Sequence, residues 1–181
     1  MPYNRIMIIG SGGSGKSTLA RRLGELTGLP VIHLDREFWH LGWVKTPKAE
    51  WKEKVVGFAA GGSWITDGNF GGTMALRWAR ADLVIFLDFG TLICLWRVIR
   101  RRNKIRPDMP DGMEENPFFS KGYFKFLWWI ASFRLRERPE ILAMREKYPQ
   151  AEFVRLRNDR EVGEFLGRVY TFEDTRFRAD M

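Results

Sequence analysis

Residues 8–18 read IIGSGGSGKST. Glycines stand at 10, 12, 13 and 15, and Lys16, Ser17 and Thr18 follow at once. Glycine loses more backbone freedom on folding than any other residue. Such density marks a turn where the main chain approaches something that a Cβ would hold away. Gly10-Ser11-Gly12-Gly13-Ser14-Gly15-Lys16-Ser17 matches G-x-x-x-x-G-K-[ST] in full. The bare N–H groups of such a loop wrap phosphate oxygens, and a helix starting near Lys16 adds the positive end of its dipole. In this reading Gly10, Gly12, Gly13, Ser14, Gly15 and Thr18 bind the phosphates of ATP. Lys16 reaches the β- and γ-phosphates as a catalytic group, and Ser17 ligates Mg²⁺.

The context of the loop supports the motif. RIMIIG, 5–10, is a short apolar run fit for a buried strand. After the loop, Leu19, Leu23 and Leu26 recur at helical spacing with charges between them, and Gly28 and Pro30 end the pattern. Further strands are predicted at 30–35, 63–68, 82–88 and 152–156. Helices are predicted at WKEKVVGFAAG, at LICLWRVIRRR with Thr91 as its cap, at 120–135, at 139–148, and from Asp159, as cap, to about Tyr170. Strands alternating with helices imply an α/β fold with a mainly parallel sheet covered on both faces, a three-layer sandwich. Ligands bind such sheets where the strands end. Length and the lack of an internal linker suggest a single domain, 1–181, with an acceptor-binding insertion at 36–62 and a lid-like segment at about 103–138.

Three acids end predicted strands: Asp35 in HLD, Asp67 in TDGNF and Asp88 in VIFLD. A parallel sheet brings such tips to one edge. Asp35 is read as the catalytic base or as the group orienting the acceptor, with a structural cap as the alternative. Asp67 holds metal-bound water, and Asp88 meets the metal as a Walker B residue does, unless it is a cap or a strand-end turn. Phe38, Trp39 and Trp43, just past Asp35, are read as walls for the acceptor, with Asp67 and Asn69 on the facing loop. Packing is the competing explanation for each aromatic. His33 lies two positions before Asp35 and shares its face of a strand. A core histidine is the plainer reading. No cysteine–histidine cluster suggests zinc.

Arg97, Arg100, Arg101, Arg102, Lys104 and Arg106 come without an acid between them, and Arg134, Arg136 and Arg138 form a second group. Guanidinium forks suit phosphates. Flanking a loop with Pro107, Pro110, Gly112 and Pro117, the two groups read as roots of a lid, as a solvated basic face, or as a nucleic-acid groove with Trp128 and Trp129 as stacking platforms. Helical spacing favours Arg97 and Arg101 as the catalytic pair.

The chain has 181 residues, a formal charge of +8 and a pI near 9.9, which suits anionic partners such as nucleotides. Its one cysteine, Cys94, lies in the apolar run LICLW and is read as a small buried hydrophobe, so no internal disulfide forms. A reducing, cytoplasmic setting is expected. The apolar start MPYNRIMIIG is too short for a signal peptide. FFSKGYFKFLWWIASF, 118–133, is interrupted by Lys121 and Lys125 and is too short to span a bilayer. It reads as a helix buried on one side or as a cover for substrate.

GSGGSGKSTLARRLGELTGLPVIHLDREFWHLGW, then WITDGNFGGTMALRWARADLVIFLD, then LWRVIRRR and RPDM, resemble the bacterial DNA topology modulation proteins, which are similar to adenylate kinases. The resemblance runs over about residues 5–167. It implies a P-loop kinase core of the nucleoside and nucleotide kinase kind. The strand order would be 2-3-1-4-5, with an acceptor region after the second strand and a helical lid after the fourth. Adenylate kinases carry D-G-F-P-R after the third strand. Here Asp67-Gly68-Asn69-Phe70-Gly71 lacks the arginine, which weighs against a nucleoside monophosphate as acceptor. The leading expectation is transfer of the γ-phosphate of Mg·ATP to a nucleoside, nucleotide or similar metabolite. The alternative is a DNA-binding regulator that uses the nucleotide site as a switch.

Overall fold

A computed structural model describes residues 3–101, 108–113 and 120–179. Five strands form one parallel sheet: β1 (Arg5–Gly10), β2 (Val31–His33), β5 (Trp64–Asp67), β6 (Leu83–Leu87) and β7 (Glu152–Leu156). They lie side by side as β2-β5-β1-β6-β7. Counted along the chain within this sheet, that is the expected 2-3-1-4-5. The numbering differs because a small antiparallel hairpin, β3 (Trp39–His40) with β4 (Val44–Lys45), interrupts it.

The central strands β1, β5 and β6 are buried on both faces, which is why β1 and β6 read as nearly continuous apolar runs, while the edge strands β2 and β7 are half-buried. Ile6 and Ile8 of β1 point into one cluster with Leu19 and Leu23 of α1 (Lys16–Thr27), Cys94 and Val98 of α5 (Thr91–Arg100), and Phe165 of α7 (Asp159–Ala179). Met7 and Ile9 point the other way, to Met74 and Trp78 of α4 (Gly71–Trp78) and to Phe133 and Ile141 of α6 (Lys121–Lys147). A third cluster joins Leu34 of α2 (Leu34–Phe38) to Trp51 and Val55 of α3 (Lys48–Ala60). The register sets the functional edge: His33 pairs with Asp67, and Gly10 with Leu87.

Several local expectations are corrected. The second strand stops at His33, and Asp35 lies in the first turn of α2. Gly90, not Thr91, precedes α5, with no side-chain cap. Residues 120–135 and 139–148 are not two helices. α6 runs through Pro139, because its apolar positions on both sides of the proline dock on the same sheet face. The last helix is capped by Asn158, not Asp159. Asn158 Oδ1 accepts from the Glu161 N–H at 2.9 Å, and Glu161 in turn accepts from the N–H of Arg157 at 2.8 Å. Helix α4 was not anticipated, since its Gly71-Gly72 start gives no helix signal. Among the described residues, no helix is long and apolar enough to cross a membrane.

Candidate active site

The glycine loop runs from the end of β1 into α1. Gly13 and Gly15 adopt left-handed φ of +79° and +96°. Gly15 precedes α1 and offers no side-chain cap, so the first N–H groups of the helix lack an internal acceptor. The Ser11 carbonyl sits at the centre of the loop. It accepts from Ser14 N (3.2 Å), Ser14 Oγ (2.8 Å) and Lys16 Nζ (2.9 Å). Burial pushes the Lys16 ammonium below its ordinary 10.5, Asp35 and Asp67 pull it back up, and Arg101 pushes it down.

Ser17 Oγ donates to Asp108 Oδ2 at 3.0 Å, and Asp108 is buried. Asp108 belongs to RPDM and was not singled out among the site residues. The signal was present in that quoted string, but a carboxylate in a proline-rich loop has no strand or helix period to place it. Nearby, Asp111 pairs with Arg36 of α2 at 3.0 Å. The 108–113 segment therefore spans from the N-terminus of α1 to α2.

Asp67 is buried beside His33, with His33 Nδ1 2.7 Å from Asp67 Oδ1. The bond to Asp67 raises the imidazole above its ordinary 6.5. Burial opposes it, the charges of Asp67 and Asp108 add to it, and Arg21 subtracts. A group raised in the folded state contributes stability that is complete below its unfolded value and is lost as pH rises through its folded value. In the absence of nucleotide and metal, the stability gap between the protein and its His33→Gln variant is therefore widest below pH 6.5 and shrinks at alkaline pH. Urea titrations across this range check it, and a gap that widens with pH would refute the ion pair.

Asn69 does not face outward from its loop. It is buried, and its Oδ1 accepts from Gly10 N at 2.9 Å. It therefore ties the acceptor-side loop to the phosphate loop. Behind it, Arg77 of α4 is fully buried, donating Nη1 to Gly68 O at 3.1 Å and Nη2 to Asn69 O. Desolvation pushes its pKa down to about 9 despite the Asp67 charge. Phe70, next along, holds a left-handed φ of +43°, a strained position for an aromatic residue. The Arg77 fork braces the loop that carries this strain. Sequence reading missed Arg77 because an arginine within a helix usually reads as an exposed one.

Asp88 is buried beneath two arginines. Its Oδ2 accepts from Arg138 Nε at 3.1 Å and Arg155 Nε at 2.8 Å, and also from Arg155 Nη2. Both arginines meet Oδ2, and Oδ1 is buried with no hydrogen-bond partner among the described residues; the Arg138 contact ties α6 to the sheet edge. Arg97 pairs with Asp159 and lies 4.8 Å from the Phe89 ring centre. A cavity of about 490 Å³ opens beside the loop, lined by Gly13, Gly15, Thr18, Trp96, Arg97 and Arg101 among others. It joins the expected cofactor residues to the expected arginine pair. Arg134 and Arg136 are exposed on α6. Arg102, Lys104 and Arg106, with residues 103–107 and 114–119 of the expected lid, lie outside the described residues.

On the acceptor side, Phe38 packs edge-on against Trp39, Trp51 and Phe70 at 4.9–5.0 Å between ring centres. Trp43 meets Trp39 at 5.3 Å. Phe38 is thus part of the third core cluster, while Trp39 and Trp43 remain half-buried.

The glycine loop and the uncapped helix start fit a polyphosphate: at Gly15, just before α1, nothing lies within 4 Å of where a Cβ would stand, so the space over the helix N-terminus is open. Mg²⁺ keeps several waters and takes one or two protein ligands besides phosphates. The Ser17–Asp108 pair fits that demand, and no group of three or more metal-ligating side chains occurs among the described residues.

No family model matches this chain, and no curated protein does. Solved structures do. A shikimate kinase from Acinetobacter baumannii in complex with shikimate is 16% identical with a TM-score of 0.55, covering 97% of this chain and 95% of that one. A shikimate kinase from Bacteroides thetaiotaomicron is 17% identical with a TM-score of 0.53, covering 95% and 99%. A gluconokinase from Sinorhizobium meliloti 1021 is 14% identical with a TM-score of 0.51, covering 97% of each. The chain therefore has the fold of the P-loop kinases. The DNA topology alternative finds no support among these neighbours.

Proposed function

We propose that the chain is an ATP-dependent phosphotransferase acting on a hydroxyl group of a small polyhydroxylated acceptor. The observation that carries this reading is the uncapped, glycine-lined start of α1 with Lys16 Nζ held at its centre by the Ser11 carbonyl. Bound Mg·ATP supplies the phosphoryl group. The N–H groups of the loop bind phosphate oxygens, and Lys16 exchanges the Ser11 carbonyl for them. Ser17 and Asp108 hold the cation, with Asp67 oriented by His33 as a partner for its water. Asp88, neutralised by two arginines, is left out of this set. Asp35 accepts the proton of the acceptor hydroxyl. Arg97 and Arg101 line the nucleotide cavity, where positive charge stabilises a phosphoryl-transfer transition state.

Two observations favour a hydroxylated acceptor over a nucleotide. The neighbours' names include shikimate and gluconate kinases. The nearest arginine after the Asp67 loop, Arg77, is buried on main-chain carbonyls rather than offered to an anionic acceptor. The test is ADP release from Mg·ATP with a panel of hydroxy acids, sugars, polyols, nucleosides and nucleoside monophosphates. Acceptor-dependent turnover is expected within the first three classes. Turnover with nucleoside monophosphates alone would overturn the acceptor class. ATP binding without turnover on any member would overturn the enzyme.

A further inference from the structure

Helix α6 carries an apolar stripe that phosphoryl transfer does not use. Ile130 and Phe133 pack inward on the sheet. Trp128 and Leu135, seven residues apart and so on one helix face, stand in solvent with 68% and 83% of their surface exposed. Exposed Lys121, Lys125 and Arg136 flank that face. On α5, which packs beside α6, Leu92 is 82% exposed and Ile99 half exposed. Residues 120–136 contain four cations and no acid, and residues 89–101 contain no acid either.

We propose that this face docks on an anionic lipid surface. Trp128 and Leu135 enter the boundary between headgroups and acyl chains, while Lys121, Lys125 and Arg136 meet the lipid phosphates and carboxylates. The charge pattern selects the occupant. A second copy set face to face would bring the cations of both chains together, with no acid in the stripe to offset them. A nucleic acid would answer the cations and stack on Trp128, but it offers no apolar phase for Leu135. A lipid interface answers both. α6 lies on such a surface and does not cross it.

The experiment is co-sedimentation of the full chain with vesicles of phosphatidylcholine alone and of equimolar phosphatidylcholine and phosphatidylserine. Binding is expected to the anionic vesicles, to fall as salt is raised, and to be weak on neutral ones. Each Lys or Arg near such a surface is worth about fivefold in partition, so Lys121→Glu with Lys125→Glu weakens binding by about 25-fold or more. Trp128→Ser with Leu135→Ser weakens it about tenfold or more. Both double variants keep the ATP affinity of the parent, which shows that they fold. The proposal is overturned by a failure to bind anionic vesicles, by equal binding to neutral ones, or by variants that bind as the parent does. It is also overturned by a solution dimer that Trp128→Ser with Leu135→Ser dissociates, or by duplex DNA held on this face by protein that ignores vesicles. None of these outcomes depends on phosphoryl transfer.

Discussion

Replacing Lys16 by methionine lowers acceptor-dependent ADP release by about 10²–10³ while leaving the fold intact. Methionine keeps most of the stem and removes the charge. Losing one preorganised electrostatic donor in a dry site costs about 10²–10³ in turnover, or about 3–4 kcal/mol of transition-state stabilisation. Stability moves the other way or not at all. Burial already holds the Lys16 ammonium below its ordinary pKa. The charged form is therefore disfavoured in the fold near neutral pH, and removing it relieves that cost. Urea unfolding of the two proteins, set beside their turnover on the best acceptor, checks both halves. Turnover within a factor of three of the parent would remove Lys16 from the catalytic set, with this factor a rough noise threshold against the 10²–10³ expected.

Gly13→Ala is expected to be the most damaging conservative change in the loop. A Cβ there would lie 2.3 Å from the Cys94 carbonyl and 3.0 Å from Val98 Cγ2, both on α5. The first contact is with helix backbone, which yields only by moving the helix. The left-handed φ of +79° adds strain of about 1–2 kcal/mol. Overpacking adds about 1–3 kcal/mol more. Gly15→Ala separates the two costs. Its φ is also left-handed, but a Cβ there meets nothing within 4 Å. Gly13→Ala is therefore the less stable of the two and binds ATP the more weakly, because α5 also lines the nucleotide cavity. Thermal unfolding and ATP calorimetry on both variants read this out. Equal stability and equal affinity would mean that the loop does not rest on α5.

The glycine motif, the strands around it and their helices were legible because each rests on local signals. Ile6, Met7, Ile8 and Ile9 are all apolar because β1 is buried on both faces, and Leu19 and Leu23 mark the face of α1 that covers it. Pro139 misled for the same kind of reason. It is a local stop signal, and the docking of Phe133 and Ile141 on one sheet face overrides it. Asn69 is read from sequence as an acceptor contact on the loop after Asp67, and Asp88 as a Walker B carboxylate or a strand-end turn. Their partners, Gly10, Arg138 and Arg155, lie 50 or more residues away along the chain, and no spacing in a single sequence announces such pairs. Asp108 and Arg77 escaped notice for the complementary reason: one lies in a segment without periodicity, the other looks like a surface charge.

By itself, the sequence determined that a loop of bare amides precedes a helix and follows a buried strand. Glycine content, helical leucine spacing and an apolar run are properties of neighbouring residues, so no folded partner is needed to read them. Only the tertiary structure decided which partner each carboxylate takes. Asp88 went to two arginines, Asp67 to His33 and Asp108 to Ser17. Burial makes an unpaired charge costly, so each acid takes the partner that the sheet register and the packed helices bring to it, and those partners are distant in sequence.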